Sequence, residues 1–188
     1  MIVLLSAVSL VLAIAIVVLF AMMGELASRI PEPGPRRTWM EPIKDVQLGR
    51  IPESWPPELA QVPERDHSVV LVLSTVCSSC RAHGAELENH TDWAEAALVV
   101  STPVAANAEA FVAEFGLGSF PHYVDEGGDW VRAEFEVASS PVALVLRSGR
   151  LVGAYSFSDL DTLRSRLHEQ LDRIEDSRAD AEKEVETV

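Results

Sequence analysis

The residues with the strongest claim to chemistry are Cys77-Ser78-Ser79-Cys80, which hold the only two cysteines of the chain. Thiols at that spacing meet across one helical turn, so they can cycle between a dithiol and a disulfide and carry two electrons without a cofactor. Val69-Val70-Leu71-Val72-Leu73 precedes them as a short β-branched apolar run that reads as a strand buried on both faces. The residues after them, to about Asn89, read as helix. Cys77 then falls at the first helical turn, where unpaired N–H groups and the helix dipole favour a thiolate. Cys80, one turn further in, is expected to be more buried. Their roles follow: Cys77 attacks a substrate disulfide, and Cys80 resolves the mixed disulfide.

The elements that must hold this pair are legible around it. Residues 96–100 read as a second buried strand, which Pro103 breaks. Asn107 is placed to cap a helix carrying Ala110, Phe111, Phe115 and Leu117 on one side, with Gly116 or Gly118 ending it. Beyond it the sequence reads as irregular, with Gly127-Gly128 as a turn and residues 130–137 alternating loosely. Residues 142–146 form a third buried run, Ser148-Gly149 a hairpin turn, and residues 151–155 its returning partner. Ser158 with Asp161 resembles a capping box, opening a helix whose Leu160, Leu163, Leu167, Leu171 and Ile174 follow a 3.6-residue period. This order predicts an α/β fold, a central mixed sheet with a parallel core, an antiparallel hairpin, and helices on both faces. Asp92, Glu95, Asp125, Glu126 and Asp129 read as solvated surface.

The flanks differ sharply from this domain. The chain has 188 residues and a net charge of -14, from 15 Lys+Arg against 29 Asp+Glu, and so acidic a body without a basic run excludes nucleic acid as a partner. Residues 1–24 carry no ionisable side chain, and the apolar run 2–23 would span about 33 Å as a helix, enough to sit in membrane lipid. It lacks the basic start and the cleavage site of a signal peptide, so it reads as an uncleaved single-pass anchor. Residues 25–66 hold eight of the 11 prolines and read as a linker, in which Trp55 is expected to pack back on the domain and Trp39 either to do so or to sit at the membrane interface. The redox domain is expected over 67–175 and an acidic, disordered tail over 176–188.

Strand, Cys77-Ser78-Ser79-Cys80, helix, and then Ser140-Pro141 directly before a strand and hairpin resemble the thioredoxin-like superfamily. With the anchor and proline-rich linker, the chain is similar to its membrane-tethered TlpA-like and MauD-like branch. The resemblance implies that Pro141 is cis and lies against the cysteine pair, and that Ser140 offers its backbone to an extended substrate peptide. It implies a cysteine-containing protein substrate, such as an apocytochrome or another exported protein, a membrane-embedded thiol reductant, and a domain outside the cytoplasm. Arg29, Arg36 and Arg37, which follow the span, count toward the opposite orientation. Val76 stands where thioredoxins carry Trp, Ser78-Ser79 replaces Gly-Pro, and the strand before the motif has no buried carboxylate. TlpA-like relatives often carry Glu three residues after the second cysteine. Here that place is His83, which is either a proton relay for the pair or a solvent-facing helix residue.

Two other functions compete. Cys77, Cys80, His83 and His90 include enough soft or borderline ligands for a metal, but a continuous helix would carry His90 about 20 Å from Cys77, and a copper chaperone of this fold would want CxxxC. The same domain could instead be a tethered accessory module whose disulfide is structural, because fold alone does not fix function.

Overall fold

The computed structural model describes residues 2–28 and 38–169. They fall into two units, Met1–Arg37 and Thr38–Val188. In the first, the uncharged run forms a single helix, α1 (Ile2–Ser28). Among the residues described with their side chains, no helix is long and apolar enough to cross a membrane. The anchor expected from the sequence therefore rests on the composition of residues 2–23 alone. Arg29, Arg36, Arg37, Leu171, Ile174 and the tail 176–188 lie outside the described residues.

The second unit is built on a six-stranded sheet: β1 (Met40–Pro42), β2 (His67–Ser74), β3 (Ala96–Thr102), β4 (His122–Glu126), β5 (Val142–Arg147) and β6 (Arg150–Phe157), in the order β1-β6-β5-β2-β3-β4. The apolar runs become the central strands. β2 pairs parallel with β3, Val70 opposite Ala97, and antiparallel with β5, Val70 opposite Leu144. β5 and β6 form the expected hairpin. Its turn uses positive φ at Ser148 (47°) and Gly149 (73°), the mirror-image geometry that matches strand twist.

Successive residues of β2 point to opposite faces, which divides the core in two. Val69, Leu71 and Leu73 pack with α2 (Ser78–Leu87), α3 (Ala105–Glu114) and a last helix, α5, described over 160–169. Val70 and Val72 pack instead with α4 (Asp129–Phe135) and with Leu59 and Val62. The predicted mixed sheet with helices on both faces is thus observed.

Several local expectations need correction. Residues 122–135 are not irregular: they form β4, a parallel edge strand beside β3, and then α4. Asp125 is not solvated surface either. It is buried, and its two carboxylate oxygens accept from the Trp130 and Val131 amides, each at 3.0 Å, which starts α4. The cap before α3 is Val104, not Asn107, and Ala110 is exposed. Asp159, not Ser158 with Asp161, caps α5 by accepting from the Thr162 amide at 2.7 Å. Ser158 serves the neighbouring segment, its hydroxyl accepting from the Trp39 amide at 2.9 Å.

The largest difference concerns the linker. From Thr38 onward the proline-rich stretch belongs to the compact unit. β1 adds an edge strand to β6, Met40 opposite Phe157, which a proline tolerates because one side of an edge strand needs no ladder bond. Trp55 packs as expected, 5.6 Å from Trp130 and 6.2 Å from Phe135 between ring centroids. Glu134 of α4, buried, accepts from the Glu53 amide at 2.8 Å and the Ser54 hydroxyl at 3.1 Å. Removing it breaks two hydrogen bonds to a carboxylate, so Glu134→Ala should lower stability by about 1–3 kcal/mol in urea unfolding. An unchanged midpoint would contradict this role.

Candidate active site

The site begins where β2 ends. The Ser74 carbonyl accepts from the Cys77 amide at 3.2 Å, and the Thr75 amide donates to the Ser101 carbonyl of β3 at 3.1 Å. This turn holds Cys77 with φ -96° and ψ 121° at the cap position of α2, one residue before the first turn expected for it. Its sulfur there does what a Ser or Asp oxygen usually does, accepting from the Cys80 amide at 3.3 Å. The Ser79 hydroxyl lies 3.0 Å from the same sulfur.

The two thiols are unbridged and differ strongly. Partial burial of Cys77 pushes its thiol up, but hydrogen bonds from the Cys80 side chain, the Ser79 hydroxyl and both residues' amides outweigh it, and the pKa falls below the ordinary 9.0. Cys80 has no solvent exposure. Burial first, and then its position as donor toward Cys77, push it up to about 12, only partly offset by the Ser74 backbone and the Ser140 side chain. The pair therefore presents one sulfur whose thiolate is favoured and one protonated reserve.

The loop before β5 closes the site. The Ser140–Pro141 peptide bond is cis, and the Ser140 carbonyl lies 3.7 Å from the Cys77 sulfur. Ser140 thus reaches both cysteines. Beside them Val76 is exposed. Arg81 pairs with Glu114 and sits over the Phe115 ring at 5.2 Å, which joins α2 to α3.

His83 is not solvent-facing. It is 3% exposed, its ring lies 4.8 Å from that of Phe157, and its Nδ1 is 3.1 Å from a Glu86 carboxylate oxygen. Among the described residues its polar partner is Glu86 and neither sulfur. His90 turns toward Asp161, at 3.6 Å. No cluster of three or more His, Cys, Asp or Glu among the described residues could hold a metal ion. Sequence reasoning missed a pocket behind the end of β2, where Ser74 and Ser101 meet Gly127, Gly128 and Arg132. Only the predicted Gly127-Gly128 turn hinted at it.

No family model and no curated protein matches the chain. Among solved structures it is similar to a candidate thioredoxin of Neisseria meningitidis, with 14% identity, a TM-score of 0.51, and coverage of 68% of this chain and 90% of that one. It is also similar to a candidate thiol:disulfide interchange protein DsbE of Chlorobium tepidum, with 15% identity, a TM-score of 0.50, and coverage of 68% and 96%. The fold is thioredoxin-like.

The unequal thiols carry a direct consequence for alkylation of the reduced protein. Deprotonation of Cys77 is eased, so its reaction with iodoacetamide should rise with pH through a midpoint below 9.0, while Cys80 stays unmodified. Ser79→Ala removes a donor that favours the thiolate, so the midpoint should move up. Equal labelling of both cysteines, read by mass spectrometry, would contradict the assignment.

Proposed function

We propose that the protein is a membrane-anchored thiol–disulfide oxidoreductase acting on cysteine-containing polypeptides. The observation that carries this is the pairing of an accessible, thiolate-favoured Cys77 with a buried Cys80 held near 12, beside the Ser140 carbonyl. A structural disulfide needs no such asymmetry.

In the reductive direction the Cys77 thiolate attacks one sulfur of a substrate disulfide. The substrate S–S bond breaks as the Cys77–substrate S–S bond forms, and the departing thiolate takes a proton. Cys80 then loses its proton and attacks the Cys77 sulfur, releasing the second substrate thiol and leaving a Cys77–Cys80 disulfide. Two electrons pass from the protein dithiol to the substrate, and a thiol reductant in the membrane restores the pair. The same steps reversed oxidise a substrate dithiol. Ser140 and Pro141 form the substrate-side wall, and the Ser140 backbone holds the peptide extended past Cys77. His83 supports the packing of α2 against Phe157.

Residues 2–23 anchor the chain in lipid, on the strength of their uncharged composition. The resemblance to tethered relatives supports a domain outside the cytoplasm, with apocytochromes or other exported cysteine-containing proteins as substrates. Labelling Cys77 in intact cells with a membrane-impermeant thiol reagent after reduction tests this placement, since protection until lysis would refute it. For the chemistry, Cys77→Ala should abolish disulfide exchange, whereas Cys80→Ala should accumulate a mixed disulfide with the substrate. Absence of any such adduct, together with undiminished exchange in Cys77→Ala, would overturn the reading.

A further inference from the structure

A cavity of about 120 Å³ lies on the α4 side of the sheet, and Ser74 and Ser140, which both contact Cys77, are part of its lining. Its floor is apolar, formed by Val72, Val131 and Val137, all buried. Its upper wall is not. Ser74 and Ser101 project from the ends of β2 and β3, Ser139 and Ser140 come from the loop before Pro141, and Arg132 stands at the exposed rim.

Three features make this more than a packing gap. It shares two residues with the cysteine site, because the Ser74 carbonyl holds the Cys77 amide and the Ser140 carbonyl lies 3.7 Å from the Cys77 sulfur. Its donors are uncommitted: Ser101, half-buried, has no protein partner for its hydroxyl among the described residues, and Arg132 uses one of its five N–H groups on Asp129, at 3.3 Å. Its space is maintained by backbone geometry. Gly128, at φ 71°, borders it where a Cβ would lie 3.0 Å from the Ser101 hydroxyl. The α4 amides are not the attraction, since Asp125 already takes those of Trp130 and Val131.

We infer that this cavity is a specificity pocket for the substrate polypeptide, receiving a short acceptor side chain, Asp or Asn, beside the reacting cysteine. The inference rests on the exchange reaction proposed above. A side chain entering beside Arg132 and Ser139 reaches the Ser101 hydroxyl over an apolar floor. An Ala in its place leaves the cavity wet. A hydroxyl and a guanidinium both donate, so the group that gains most is a carboxylate or carboxamide oxygen.

The test is single-turnover reduction by the reduced full-length protein of disulfide-closed peptides, identical except for Asp, Asn or Ala beside the cysteines. 2-Hydroxyethyl disulfide, which has no side chain to place, serves as the control. The Asp and Asn peptides should react about 3- to 10-fold faster than the Ala peptide. Ser101→Val and Arg132→Gln should each remove most of that preference, with reduction of 2-hydroxyethyl disulfide unchanged. Arg132 is exposed, so its variant keeps the test decisive if Ser101→Val fails to fold. Equal rates for the three peptides, or a preference that survives both substitutions, would overturn the pocket while leaving the exchange reading intact. Failure of the unsubstituted protein to reduce 2-hydroxyethyl disulfide would instead overturn the exchange reading itself.

Discussion

The sulfur of Cys77 occupies the position of a helix cap, and most of the site's behaviour follows from that hydrogen bond. A sulfur accepting from the Cys80 amide at 3.3 Å, with the Ser79 hydroxyl 3.0 Å away, is better placed as an anion than as a thiol. The bond also fixes Cys80 one turn behind it, where burial keeps the second thiol protonated. Reactivity in one sulfur and reserve in the other are thus two results of one local geometry.

That geometry needs a rigid base. Cys77 is presented by the end of a strand hydrogen-bonded on both sides, to β3 and to β5, and the α2 that follows is held by apolar packing beneath it and by Arg81 against Phe115 at its side. Opposite the sulfur stands the Ser140 carbonyl, positioned by a loop whose ends are α4 and β5. The stretch 38–66 reinforces α4 through Glu134, Arg50 and Trp55. A segment with the composition of a spacer therefore braces α4, which leads into the loop that carries Ser140.

Legibility in the sequence followed the range of the forces involved. β2, β3 and β5 were readable because strands buried on both faces are continuous apolar runs, and the hairpin because Ser148-Gly149 supplies the positive φ its turn demands. β4 was not, since His122-Tyr123-Val124-Asp125-Glu126 lies at a sheet edge and mixes polar with apolar residues. α4 was hidden because its capping carboxylate, Asp125, lies before a Gly-Gly turn instead of beside the helix. His83 read as either a proton relay or a solvent-facing residue of α2, and it is buried with its ring against Phe157, 74 positions later.

The sequence by itself determined the close cysteine pair, its place between a buried strand and a helix, and the uncharged N-terminal run, because each is written in neighbouring residues through spacing and hydropathy. Tertiary structure alone decided how unequal the two thiols are, and that the proline-rich stretch packs from Thr38 onward. It alone brought Ser74, Ser101, Arg132, Ser139 and Ser140 around one cavity. Desolvation and cavity shape depend on which distant segments meet, and no local pattern encodes that meeting.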